Sequence, residues 1–281
     1  MNCRALKLDL SSQKAVREAA AELLSWSDVP TIDILVNNAA VMHIPERTLS
    51  EDGIEIQLAT NHIGHFLFTC LIMPKLLKAA EGSPKGATRV INVTSLSPTI
   101  AGMRWSDINF DKINQDLPEA EQPSYDVHRR WRTVDPEKKS YIPLEGYNQS
   151  KVANLLFSIA ANKRLYEIFG IISLAIHPGF IETELARYAA PDIMSVIEDM
   201  IKGGAVHIKT LGQGAATTLV AATDPQLGTS KPESKDGKEN YGTYLIDCQI
   251  SDKACARSVS SDEAERLWKL SEDLIKEKFA W

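Results

Sequence analysis

Strand-like and helix-like segments alternate through nearly the whole chain, and this alternation restricts the fold more than any other feature. Strands separated by helices return to one sheet in parallel, so the pattern predicts βαβ units and an α/β fold. Residues 4–9 read as a first strand. Ser11 or Ser12 then caps a helix that places Val16, Ala19, Ala20, Leu23 and Leu24 on one face. Residues 32–36 form a short β-rich run ending in Asn37-Asn38, a polar pair where a strand should finish. The periodicity predicts a long helix over 60–79, a strand over 89–93 before Thr94-Ser95, a helix over 147–169 and a strand over 171–176. After a Pro178-Gly179 loop come a helical face of Ile193, Val196, Ile197, Met200 and Ile201, then a helix over 213–223. A polar segment at 225–240, a strand over 242–246 and a charged amphipathic helix over 261–279 complete the chain. The rhythm breaks once, from about 102 to 146. That stretch is rich in Asp, Glu, Pro and Arg, with Trp105, Phe110, Tyr125 and Trp131 spaced irregularly, and it reads as an inserted functional loop or flexible segment.

Composition narrows the function. With 281 residues, 44% hydrophobic and 24% charged, the chain can bury a sizeable core, and a single domain over 1–281 is expected. A net charge of −6 argues against a nucleic-acid or anionic-lipid footprint and favours a small-molecule partner. Four scattered cysteines without C-x-x-C fit neither a disulfide framework nor a zinc site and point to a reducing compartment, the cytoplasm. The longest mainly apolar run, about 63–74, is shorter than the roughly 18 to 20 residues of a membrane span, and residues 1–12 lack a signal-peptide core. The expectation is a soluble, unprocessed protein.

Tyr147 and Lys151 stand four apart on a predicted helix, which stacks their side chains on one face. An ammonium about 4 Å from a phenol is worth roughly 4 kcal/mol at an effective dielectric of about 20, enough to bring the phenol from its ordinary range toward neutral pH. The phenol then exchanges protons with an alcohol or carbonyl oxygen; by itself the spacing also arises by chance. Ser95, at a strand's carboxyl end where open α/β sheets hold ligands, is either a partner for a substrate oxygen or an ordinary strand-end serine. Asn61 is either a site residue or a helix cap. His62 and His65 read as plain helix residues rather than metal ligands, since no third ligand has supporting spacing. Arg129, Arg130 and Arg132 around Trp131 sit among Asp126, Asp135 and Glu137 and read as a solvated insertion. Gly212-Gln213-Gly214 reads as a helix start, not a phosphate loop.

Taken in order, these residues resemble the short-chain dehydrogenase/reductase family. The matching segments are Asp9-Leu10, Asn37-Asn38-Ala39-Ala40, Asn61-His62-Ile63-Gly64-His65-Phe66, Asn92-Val93-Thr94-Ser95, Tyr147-Asn148-Gln149-Ser150-Lys151 and Pro178-Gly179-Phe180-Ile181-Glu182-Thr183. The wording around them looks most like the retinol-dehydrogenase-like NADP(H) branch. The resemblance implies a Rossmann-like doubly wound parallel sheet and an oxidoreductase interconverting an alcohol and a carbonyl on a small apolar substrate. It makes Tyr147 the acid/base, Lys151 its activator and ribose ligand, Ser95 the positioner of the substrate oxygen, and Asn61 the anchor of a relay water. It assigns Asp9 and Leu10 to the adenine, Asn37, Asn38 and Ala39 to the adenosine side, and Pro178, Gly179, Ile181 and Thr183 to the nicotinamide carboxamide. Ala40 replaces the family's glycine and adds a methyl near the cofactor. Cofactor NADP, with NAD left open, and a homo-oligomer follow from the same likeness. So does a substrate site under Ile193, Met194, Val196, Ile197 and Met200, which otherwise read as a helix merely packed on the core.

The family's first two strands and Gly-rich turn have no counterpart before Arg4. The sheet is therefore expected to lack them, separating strand 4–9 from the rest and baring the edge of strand 32–36. An N-terminally incomplete form of a longer enzyme is one expectation. A catalytically silent relative with a binding or dimerisation role is the alternative.

Overall fold

The computed structural model describes residues 3–229 and 239–281, so most of the polar segment at 225–240 lies outside the described residues. Within them run strands β1 (Ile34–Asn37), β2 (Arg89–Val93), β3 (Ile172–His177), β4 (Phe180–Ile181), β5 (Ile208–Lys209), β6 (Tyr244–Ile246) and β7 (Gln249–Ile250). The main sheet has the order β1-β2-β3-β6-β7. It is parallel as far as β6, and a β6–β7 hairpin adds one antiparallel strand. The hairpin turn holds Asp247 and Cys248 at φ 49° and 65°, the left-handed pair whose twist matches that of its flanking strands. β4 and β5 form a separate parallel pair.

Every residue of β2 and β3 is buried, as strands covered on both faces require. Alternate residues feed two cores. Val90 and Ala175 join helices Gln13–Ser25, Gly64–Leu71, Pro143–Phe169 and Ser261–Ile275 on one side; Ile91, Leu174 and Ile176 meet Ala221 and Ala222 of helix Leu211–Thr223 on the other. The fold is thus the expected α/β sheet with helices on both faces. The long helix Pro143–Phe169 starts with proline in its first turn and stops where Gly170, at φ 71°, donates to Tyr166 O at 3.0 Å. Thr210 and Gln213 form a reciprocal cap that starts helix Leu211–Thr223, so Gly212 and Gly214 belong to a helix start, as read.

Four expectations need correction. Residues 4–9 form no strand. A strand needs a neighbour for its N–H and C=O groups, and β1 pairs with β2 alone among the described strands. On that edge Ile34 and Val36 are 41% and 39% exposed. In helix Gln13–Ser25, capped by Ser12 accepting from Ala15 N, Leu24 lies outside the buried stripe of Val16, Ala19, Ala20 and Leu23. The single helix over 60–79 is broken: a π turn spans Ala59–Ile63, and the chain bends by 58° between Ile56–Leu71 and Met73–Ala80. Pro74 explains the break, because its ring and missing N–H suit only a helix's first turn. No single helix among the described residues is long and apolar enough to cross a membrane; that bent pair passes only when taken together, by length and composition.

The fourth correction concerns residues 102–146, which form an ordered pad, against the flexible-segment alternative. They contain helix Tyr125–Arg130, several 3-10 turns and a buried Arg104–Asp107 ion pair at 2.6 Å. Gln149 of the long helix clamps the pad, accepting from Arg104 N at 3.1 Å and donating to Ile108 O at 3.0 Å. The arginines behave as read. Arg129 pairs with Asp126 and Glu137, and Arg132 reaches Asp199 at 3.8 Å, all near solvent.

Candidate active site

The carboxyl end of β2 and the first turns of the long helix are stapled together, and the staple sets the site. Val93 O accepts from Lys151 Nζ at 2.9 Å and from Asn154 Nδ2 at 3.2 Å, while Thr94 Oγ1 donates to Lys151 O at 2.6 Å. Ser95 follows at once. Its carbonyl accepts from the Tyr244 hydroxyl at 2.6 Å, and its own hydroxyl donates to Ser97 Oγ at 2.7 Å and accepts from Ser97 N at 2.9 Å. One helical turn before Lys151, the buried Tyr147 has its phenol close enough to the Ser95 side chain to be lowered by it, and Lys151 Nζ stands 5.6 Å from its ring centre. Three of the four expected catalytic residues therefore share one point.

Asn61 lies on the π turn, a backbone irregularity that often marks functional sites. Its side chain accepts from Val41 N at 2.8 Å and donates to Val41 O and Ser150 Oγ, each at 2.9 Å. It ties the loop after β1 to the long helix beside Lys151, without touching the phenol.

The electrostatics reverse the expected order. Burial pushes the Tyr147 phenol well above its ordinary value, only partly offset by the Ser95 hydrogen bond, and burial pushes the Lys151 amine down to about 7. The expectation treated the ammonium as a fixed charge. Here the amine is desolvated along with the phenol, is spent on a backbone carbonyl, and brings too little charge to repay the burial.

The remaining site residues are placed as follows. Asn37 does not offer its side chain to a ligand: Nδ2 donates to Thr69 Oγ1 at 3.1 Å and to Asn92 Oδ1 at 2.8 Å in the core. Asn38 and Ala39 are exposed, with Ala39 O bonded to His65 Nε2 at 2.8 Å, while His62 Nε2 meets Ser271 Oγ at 2.8 Å. Asp9 accepts from Ser11 Oγ and Ser11 N, and these bonds lower its carboxyl. Leu10 is buried against Gly64, where a Cβ would stand 2.2 Å from Leu10 O. Pro178, Gly179 and Ile181 leave the end of β3 half-buried, with Gly179 at φ 96°, and the exposed Thr183 caps the turn Glu184–Ala186. Ile181 packs where a Cβ on Gly214 would lie 2.2 Å away.

An amine, a phenol and a serine hydroxyl gathered at a strand's carboxyl end form a polar cluster of the kind that holds a ribose diol and a carbonyl oxygen. Sequence reasoning passed over Ser97, Tyr244, Asn148, Glu145 and His128. Ser97 lies two residues past one motif and Asn148 inside another, so both are within reach of the sequence; His128 lies in the insertion, with no pattern to single it out.

A family model described as short chain dehydrogenase matches residues 1–106. The chain is 36% identical over 272 residues to short-chain dehydrogenase TIC 32 A, chloroplastic, of Brassica napus, covering 96% of this chain and 71% of that one. It is 37% identical over 271 residues to retinol dehydrogenase 13 of Homo sapiens, covering 95% and 67%. A crystal structure of a putative uncharacterized protein from Mycobacterium paratuberculosis matches with a TM-score of 0.59 and 28% identity, over 98% of this chain and 76% of that one. NADPH-bound carbonyl reductase from chicken fatty liver shares the fold, with a TM-score of 0.51 and 19% identity over 86% and 73%. The chain belongs to the short-chain dehydrogenase/reductase family and is an oxidoreductase of that class. Within the family it falls in the retinol-dehydrogenase-like branch.

Proposed function

We propose that this protein interconverts an alcohol and a carbonyl on a small apolar substrate using NADP(H), with Tyr147 as the proton donor and acceptor. The observation that carries this reading is the contact between the Tyr147 phenol and Ser95 beside the buried Lys151. Lys151 and Tyr147 would hold the nicotinamide ribose. Pro178, Gly179, Ile181 and Thr183 would face the carboxamide, and Asp9 and Leu10 the adenine. Asn38 and Ala39 would meet the adenosine side, with Asn37 contributing only through its backbone because its amide is committed to the core. When bound, the nicotinamide supplies or accepts the hydride. Ser95 orients the substrate oxygen toward Tyr147, which gives or takes the proton at that oxygen. Asn61 braces the helix that carries both Tyr147 and Lys151, and on this reading also anchors a relay water.

The apolar substrate is supported by helix Pro191–Lys202, where Val196 is buried, Ile193, Ile197 and Met200 are half-buried and Met194 is exposed. NADP rather than NAD follows the branch the chain resembles. A single domain with residues 102–146 bordering the substrate mouth, a homo-oligomeric state and a cytoplasmic location belong to the same reading; four free cysteines are consistent with a reducing compartment. The test measures NADPH- and NADH-dependent turnover of apolar aldehydes, and the reverse oxidation of the alcohols, in the wild-type chain and Tyr147→Phe. Turnover in the wild type with a drop of about 10²- to 10⁴-fold in the variant is expected. Equal turnover in both proteins overturns the role of Tyr147.

A further inference from the structure

The half-buried hydroxyl of Ser95 does not end at the substrate side. A run of hydrogen bonds leads from it into the insertion: Ser95 Oγ to Ser97 Oγ at 2.7 Å, Ser97 Oγ to Asn148 Oδ1 at 2.7 Å, Asn148 Nδ2 to Glu145 Oε2 at 3.1 Å, and His128 Nε2 to Glu145 Oε2 at 2.8 Å. Four members of the run, Ser97, Asn148, Glu145 and His128, are buried. The direction of every bond follows from the carboxylate. Ionised Glu145 only accepts, so Asn148 must turn its NH₂ toward it and its oxygen toward Ser97. That oxygen in turn only accepts, so Ser97 must donate to it, and Ser97 Oγ is left to accept the Ser95 proton. The Ser95 hydroxyl is thereby fixed in one orientation, with its proton on Ser97.

We infer that His128 is a positioning residue for the active site, setting the orientation of the Ser95 hydroxyl through Glu145, Asn148 and Ser97. The inference rests on the oxidoreductase reading and extends it to the insertion, which thereby does more than border the site. Without a donor at position 128, the buried carboxylate loses a hydrogen-bond partner and is free to turn, and the amide of Asn148 loses the reason for its orientation. The Glu145 carboxyl illustrates the balance: burial raises it, and the His128 hydrogen bond together with Asn148 and the more distant Arg257 brings it below the ordinary carboxylate value. The buried His43 adds no competing charge: burial above all pushes it down to about 4, and it stays neutral.

The test compares His128→Phe, which removes the donor, with His128→Gln, whose amide restores one. Nitrogen-15 NMR follows the Asn148 side-chain NH₂, assigned by its absence in Asn148→Ser, and steady-state kinetics are measured on the same samples. The expected result is a displaced Asn148 NH₂ signal and a kcat lowered about tenfold in His128→Phe, with KM and NADPH affinity unchanged and both effects largely reversed in His128→Gln. An unmoved Asn148 signal, an unchanged kcat, or an equal loss in both variants overturns the inference. If His128→Phe does not fold, Ser97→Ala cuts the same run nearer the site, and an unchanged kcat there is equally decisive. A wild type that turns over no alcohol or carbonyl defeats the oxidoreductase reading, and the catalytic role inferred for His128 falls with it. The NH₂ comparison still decides whether His128 orients Asn148, so the two failures are distinguished.

Discussion

Lys151 is 2% exposed with its amine on Val93 O, and a lysine held this way costs the fold stability wherever the unfolded chain would carry its charge. The unfolded chain keeps the proton up to the ordinary value of 10.5, whereas the folded one gives it up at about 7. Between those values unfolding takes up a proton, so stability rises with pH; below about 7 the full penalty is present and constant. Lys151→Met is expected to be more stable than wild type at pH 7, and to lose a slope of up to about 1.4 kcal/mol per pH unit between pH 7 and 10. Urea titrations at several pH values measure this, and an unchanged slope would place the missing proton elsewhere. Asn92 presents the opposite case: it accepts from Asn37 and donates to Ser158 Oγ at 2.8 Å and Ser173 Oγ at 3.2 Å. Asn92→Leu leaves these partners unpaired and is expected to cost about 1 to 3 kcal/mol, read as a lower denaturation midpoint. The Tyr147–Lys151 pair was legible because a helix fixes what lies four residues away. The sign of its electrostatics was not, since the balance between burial and charge depends on neighbours far away in sequence.

Gly64 shows how elements approach one another. The helix Gly64–Leu71 lies so close to the Asp9-Leu10 backbone that a methyl on Gly64 would stand 2.2 Å from Leu10 O, and a carbonyl cannot move aside as a flexible side chain can. Gly64→Ala should destabilise by about 1 to 3 kcal/mol and shift the segment that bears Asp9. Thermal unfolding checks the first, and weakened NADPH binding the second; a variant as stable as wild type would show that the approach is not tight. Arg89 joins two other elements, donating to Gly86 O at 2.8 Å and to Ala221 O and Asp224 O, each at 2.7 Å, at the end of helix Leu211–Thr223. Helix and strand periods located nearly every element of the main sheet and its flanking helices. They overran the bend at Ile72, because hydrophobic periodicity continues through a break that only Pro74 betrays. They also missed the order within 102–146, because 3-10 turns and buried ion pairs carry no period.

At the scale of the whole molecule, the sheet of the described residues has β1 at one edge. Among the described residues β1 pairs with β2 alone, and its side chains Ile34 and Val36 remain partly open to solvent. Unpaired strand edges with apolar side chains recruit other strands. Val36→Lys is expected to reduce concentration-dependent light scattering while leaving the far-UV circular dichroism unchanged; equal scattering in the two proteins would show that this edge is not the route of association. Residues 4–9 have strand-like composition yet stay irregular, which shows the same physics from the other side: a strand is a relation between two segments, and one of them alone does not form it.

The sequence by itself determined what depends on neighbours along the chain: the alternation of strand and helix, the cap at Ser12, the Tyr147–Lys151 face, and the motifs that mark the family. Tertiary structure alone decided what depends on separation in space. It committed the Asn37 amide to the core, took charge away from Lys151, and brought His128 of the insertion to within four hydrogen bonds of Ser95. Local geometry is set by a few torsions per residue, whereas burial and hydrogen-bond direction are set by whichever distant segment closes over the group.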